Sequence, residues 1–251
     1  MSRTELKEDG AAALAVLTVP SRGLALVIER RRSLTVILVA TAASLLFAAV
    51  AVPRLDFEKA AARRLESAPG GAEMTPFQRE EEAVKARKVG SVAVYAASAF
   101  SPALSVLATA LILWLAFKVA GTAPPFKGTL AVAAHGLLPV LLAPLLLLPA
   151  LVAKAPVDPE ALGRLLPSSL GALLPEKGSP ILLAVASSFD LFSFWSLALV
   201  TAGMIGLTGA SRRRAGTVVG LLWVAYVALL KIAPAAAMAA AKGMGGGGGA
   251  G

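Results

Sequence analysis

Cysteine is absent from the chain, which excludes disulfides, thiolate metal sites and thiol catalysis. Histidine occurs once, as His135, so a zinc cluster of the H-E-x-x-H kind has no ligands to draw on. No G-x-x-x-x-G-K-[ST] phosphate cradle, no dinucleotide fingerprint following a strand and no G-x-S-x-G elbow occurs. Charge is scarce too: 16% of residues are Asp, Glu, Lys or Arg, against about 25% in ordinary soluble domains. Asp190 is the single acid within the apolar stretches, so a protease built on two carboxylates sharing a proton cannot be assembled there. These gaps point away from an enzyme, and the expectation is no catalytic residue, no cofactor and no metal.

What the chain has is apolar length. Of 251 residues, 57% are hydrophobic. Crossing a hydrocarbon core of about 30 Å takes about 20 apolar residues at ~1.5 Å each. Five stretches meet that requirement, at about 33–52, 90–117, 128–153, 190–211 and 215–241. The last holds Lys231, and the insertion cost of a single such residue, about 2.5–3.5 kcal/mol at a helix centre, does not disqualify it. The fold class expected is all-α: a polytopic transmembrane helical bundle of about five spans, with interfacial amphipathic helices. The run after "RRR" exceeds the usual h-region of about 7–15 residues and follows a long lead, so it reads as an uncleaved first span rather than a secretory signal.

Between the spans the organisation is as follows. Residues 1–32 form a cytoplasmic or interfacial segment, in which Leu24, Val27 and Ile28 can face lipid while Arg22 and Arg30 to Arg32 reach headgroups; a solvated arm is the other reading. Residues 53–89 carry eight Lys/Arg and seven Asp/Glu. There Asp56 can cap a short helix running to the "SAPGG" break, and Thr75 to Gln78 is a capping box with proline at the first helical position, opening a helix that can continue into the second span. "REEEAVKARK" in this loop reads as a solvated, salt-bridged face. Pro102 predicts a kink in span two, and Pro139, Pro144 and Pro149 a bent span three. Residues 154–180 read as an amphipathic connector, one piece capped by Asp158, whose leucines lie on the membrane surface; residues 242–251 read as a flexible Gly-rich tail. The five spans, their loops and this membrane domain, 33–241, make up the rest.

The net charge of +9 is not arranged as a nucleic-acid surface, because the bases sit at span ends and no basic stripe with interleaved aromatics occurs. The contiguous runs Arg30 to Arg32 and Arg212 to Arg214 fall on one side if the spans number five, which predicts an inside N-terminus and an outside C-terminus. The plain count of bases is indecisive.

Few polar residues remain as candidates within the spans. Asp190, Lys231, His135 and, beside Asp190, Trp195 are the intramembrane residues with functional or structural potential. Asp190 can cap its own helix through the N–H of Phe192 or Ser193, pair with Lys231, or line a transport path. Gly203, Gly206, Gly209, Gly216 and Gly220 have the spacing of helix-packing glycines.

Several phrases carry a family resemblance: "PSRGLALVIE", "PFKGTLAVAAHGLLP", "SSLGALLP" and above all "FDLFSFWSLALVTAGM" followed by "GASRRRA". Over about residues 15–240 the chain resembles the Yip-one domain family, the Ypt/Rab-interacting membrane proteins, in its bacterial branch; the D-L-F-x-x-W block of Asp190, Leu191, Phe192 and Trp195 is its most specific element. The resemblance implies five spans, a cytosolic N-terminus and, for a bacterial member, the inner membrane. Eukaryotic relatives associate with Rab-type GTPases; the short N-terminal segment here does not support that binding. The function expected is a non-enzymatic integral membrane protein that organises membrane or assembles partners, whether other membrane proteins or itself. The alternative is a transporter, channel or lipid scramblase using the polar intramembrane residues.

Overall fold

The computed structural model describes residues 3–66, 74–154, 156–159, 162–175 and 179–245. Thirteen α-helices occur among them, with short 3₁₀ and π segments and no strand. The "SAPGG" break and residues 246–251 of the tail lie outside the described residues. The chain divides into two compact units: one of residues Met1–Val36, Val106–Val140 and Pro167–Gly251, the other of Ile37–Ser105 and Leu141–Leu166.

In the first unit, α1 (Arg3–Thr18) and α2 (Pro20–Arg30) fold back on each other as a helical hairpin. Proline at the first position of α2 lacks the N–H that a helix start leaves unpaired. Arg31 ends α2 in the left-handed region, at φ 52°, and its N–H closes on Val27 O. Gly23 lets the two helices touch: a Cβ there would collide with the backbone of Ala15 and Val16. The hairpin packs on α6 (Phe126–Gly136) and α11 (Leu191–Thr208), burying Leu24 and Val27 in a core with Val16, Ala131 and Leu199. This differs from the lipid-facing or solvated arm expected of residues 1–32. The reason is complementarity at long range: Gly203 and Gly206 of α11 leave notches that Leu24 and Ile28 enter.

The same unit contains α10 (Pro180–Ser188), capped by the Ser179 hydroxyl, and α12 (Arg212–Val227), capped by that of Ser211. Gly209 terminates α11 at φ 67°, a left-handed cap that glycine adopts without a Cβ clash. A π turn, Ala228–Ile232, separates α12 from α13 (Ala233–Gly245), so the first residues of the Gly-rich tail are helical.

In the second unit, most of α3 (Leu34–Ala51) and the first part of α5 (Pro76–Val119) accompany α4 (Phe57–Glu66). Asp56 accepts from Lys59 N at 2.8 Å to start α4. The Thr75 capping box forms in both directions: Gln78 Oε1 accepts from Thr75 N at 2.8 Å, and Thr75 Oγ1 accepts from Gln78 N at 3.3 Å. The helix it opens runs unbroken through Pro102 for 44 residues. From Leu138 to Lys154 the chain instead restarts every five residues: α7 (Leu138–Leu142), a 3₁₀ turn (Ala143–Leu147) and α8 (Leu148–Lys154). Each begins one residue before a proline, as expected for a residue that starts helices and breaks their interiors. Leu162 and Leu165 of α9 (Leu162–Leu165) pack, partly buried, against a core of Ala51, Leu55, Leu151 and Val157. Asp158 pairs with Arg63; residues 160 and 161, which its expected helix cap would involve, lie outside the described residues.

Among the described residues, four helices are long and apolar enough to cross a membrane: Leu34–Arg54, Pro76–Val119, Leu191–Thr208 and Arg212–Ala240. The pair Phe126–Gly136 and Leu138–Lys154, broken at Leu137, makes a fifth when taken as one span. The protein is an all-α, multi-pass helical bundle.

Candidate functional site: the Asp190 turn and the buried polar groups

Asp190 stands at the junction of α10 and α11, in extended backbone, with φ −114° and ψ 138°. Its carboxylate accepts from Ser193 N at 2.9 Å and from Ser193 Oγ at 3.2 Å, satisfying a donor that the helix start would otherwise leave bare. A carboxylate there also meets the positive end of the α11 dipole. The connector returns to this point: Leu170 N donates to Phe189 O at 3.2 Å and Leu191 N to Ser168 O at 3.0 Å, so two irregular stretches satisfy each other. Three rings flank the turn. Phe189 and Phe194 lie 5.9 Å apart, and Trp223 of α12 lies 5.7 Å from Phe189 and 5.5 Å from Phe194, between centroids. Trp195, singled out by the sequence, is exposed; the tryptophan of this cluster is Trp223, which no local motif marks.

The other candidates are dispersed. Lys231 is half-buried inside the π turn and has no ion pair among the described residues, while the helix cap of Asp190 is formed. An extra residue in that turn shifts the register of α13 relative to α12. His135 is buried on α6, its Nδ1 2.9 Å from Ala131 O; since a carbonyl only accepts, the proton sits on Nδ1. Ser188 donates to Ala184 O at 2.8 Å and Thr208 to Met204 O at 2.6 Å, each within its own helix. Ser196 is the exception, a buried hydroxyl with no hydrogen-bond partner among the described residues.

The glycines divide. A Cβ at Gly203 would come within 2.6 Å of Val132 Cγ1, and one at Gly206 within 2.6 Å of Ile28 Cδ1. At Gly209, Gly216 and Gly220 the space is open. Gly216 and Gly220 instead line a groove of about 450 Å³ between α11 and α12, with Phe194 and Val219 on its walls and Arg212 in its lining.

One buried acid was not singled out by the sequence. Asp9 of α1 is only 5% exposed; Thr35 Oγ1 donates to it at 2.7 Å and Arg32 lies 3.6 Å away. Nothing in "KEDGAAA" distinguishes it from its solvated neighbours, because its burial depends on α2 and α3 returning to it. Among the described residues no three His, Cys, Asp or Glu side chains group as metal ligands.

Neither the curated proteins nor the solved structures compared with the chain contain a match. A family model does match: the Yip1 domain aligns with residues 14–233, a range that takes in α2, the Asp190 turn and the hairpin of α11 and α12. With that match spanning most of its length, the chain belongs to the Yip1 domain family.

Proposed function

We propose that this Yip1-domain chain is a non-enzymatic membrane protein of a bacterial inner membrane, with its N-terminus inside and its C-terminus outside, that organises membrane or assembles partners through its helical bundle. The observation that supports this best is the local satisfaction of the intramembrane polar groups. Asp190 caps its own helix, and His135, Ser188 and Thr208 each bond a carbonyl four residues back. Conduits gather ionisable groups towards a shared path, whereas these four side chains are spent on their own helices. The arginine runs Arg30 to Arg32 and Arg212 to Arg214 support the orientation.

A conduit is favoured by one observation, the unpartnered hydroxyl of Ser196 in the interior of α11. Reconstitution into liposomes separates the two. Absence of solute flux and lipid flip above empty vesicles, together with recovery of the chain in a crosslinked complex from native membrane, supports the organising role. Flux that falls in Ser196→Ala at unchanged protein level overturns it.

A further inference from the structure

The hairpin of α1 and α2 keeps all its charges but Arg22 towards one end. Glu8 pairs with Arg30 and Glu5 with Arg32, both at 3.1 Å, while Gly23 lies against Ala15 and Val16, so the antiparallel register puts the tip at Val19. The side chains contacting α11 then locate that tip. Leu24 faces Gly203 and Ile28 faces Gly206, so the residue numbers of α2 and α11 rise together and the helices run parallel. The Arg30 end therefore lies towards the Thr208 end of α11, beyond which Arg212 to Arg214 follow. Going the other way, Val16 reaches the core with Leu199, nine residues before Thr208 and so about 13 Å along the helix axis. If α11 spans the bilayer, that is close to half of a ~30 Å hydrocarbon core.

At the tip, several backbone groups that a helix end would leave bare are paired. Val19 N donates to Ala15 O at 2.7 Å, and Arg22 N and Gly23 N both donate to Val19 O, at 3.1 and 3.0 Å. Pro20 has no N–H to satisfy. The Thr18 hydroxyl donates to Leu14 O at 2.9 Å. In hydrocarbon each unmet backbone group costs several kcal/mol, so this pairing is compatible with such a depth. Leu14 in the last turns of α1 and Val19 at the tip, 63% and 51% exposed, point apolar surface outward. Arg22 is the one charge near the tip; it sets a limit to the depth, since its guanidinium must be able to snorkel towards headgroups.

We propose that α1 and α2 form a re-entrant hairpin that enters only the leaflet on the side of the arginine runs, with the acyl chains of that leaflet as its partner. Leu14 and Val19 contact the chains, and Arg30 and Arg32 hold the open end at the headgroups. This deepens the organising role proposed above and rests on α11 spanning the membrane: a wedge in one leaflet adds area to that leaflet alone, which favours curved membrane.

The lack of native cysteine makes depth measurable in the full chain. Single cysteines at Lys7, Val19 and, as a control within α12, Val224 carry an environment-sensitive fluorophore, in vesicles of phosphatidylcholine and phosphatidylglycerol containing nitroxide lipids labelled at the headgroup or at mid-chain. All three positions are exposed, so folding is preserved. The expected result is stronger quenching by mid-chain than by headgroup nitroxide at Val19 and Val224, and the reverse at Lys7. Quenching of Val19 by aqueous iodide to the same extent as Lys7, with Val224 still quenched at mid-chain, overturns the hairpin while leaving the spans in place. Failure at Val224 as well overturns both this proposal and the multi-pass reading beneath it. Neither outcome depends on which side of the membrane the N-terminus occupies.

Discussion

Gly203 and Gly206 in α11 and Gly216 and Gly220 in α12 read alike in the sequence, as small residues at helical spacing in neighbouring apolar helices, yet their surroundings differ. The first pair is filled: Val132 and Leu24 press on Gly203, and Ile28 on Gly206. The second pair faces an open groove. Spacing therefore says that a close approach is possible, and only the partner decides whether it happens. In α11 the partners are supplied by α2 and α6, elements distant in sequence, whereas nothing within the described residues of the chain covers the same kind of notch in α12.

The contrast can be broken most strongly at the hairpin that fills the first pair. Gly23→Ala places a methyl group against backbone atoms of Ala15 and Val16, which cannot rotate away as a side chain can. Separating α1 from α2 also withdraws Leu24 and Ile28 from α11. A loss at or above the usual overpacking range of about 1–3 kcal/mol is expected, seen as a clear drop in thermal midpoint in detergent or lipid. An unchanged midpoint would show that the hairpin does not pack as described. Next in size is Gly203→Val. Its neighbours are the side-chain ends of Val132 and Leu24, which yield more readily, so the expected loss is about 1–2 kcal/mol by the same measurement.

The Asp190 turn gives a smaller effect with a sharper pattern. Asp190→Ala removes the cap of α11 and is expected to cost about 1 kcal/mol, while Asp190→Ser retains most of the stability because serine caps comparably. Lys231→Met should leave the midpoint unchanged, since Lys231 has no ion pair among the described residues. Equal losses in Asp190→Ser and Lys231→Met, with recovery in a charge-swapped double variant, would restore the ion-pair reading.

Local chemistry was legible in the sequence wherever the deciding atoms lie within one turn. The Thr75 box, the Asp56 cap and the proline restarts at Pro139, Pro144 and Pro149 all depend on residues no more than four positions apart. The all-α, multi-pass class follows from apolar length alone. The burial of Leu24, Val27 and Asp9 was not legible, because an amphipathic helix with basic ends has the same pattern whether its apolar face meets lipid or another helix. Trp223 escaped for a similar reason: only the antiparallel return of α12 brings it to Phe189 and Phe194. The capping residues readable from sequence were thus those that act on their own helix; Gly203 and Gly206 were readable as small-residue spacing, but not the helices that fill them.

The smallest expected effect tests the open half of the comparison. At Gly216 and Gly220 a Cβ meets nothing within 4 Å, and both lie in the interior of α12 at ordinary helical backbone. Glycine in a helix interior is less favourable than alanine by about 0.5–1 kcal/mol, because it has more freedom to lose on folding. With no steric term to oppose that gain, Gly216→Ala and Gly220→Ala should leave the thermal midpoint unchanged or raise it slightly, opposite in sign to Gly203→Val. The measurement must be made on dilute protein in detergent and again in vesicles at high protein density. A loss seen only at high density would mean that a second molecule uses this groove and needs both glycines bare. A loss under dilute conditions would mean that the groove closes within one chain, and the contrast between the two glycine pairs would then disappear.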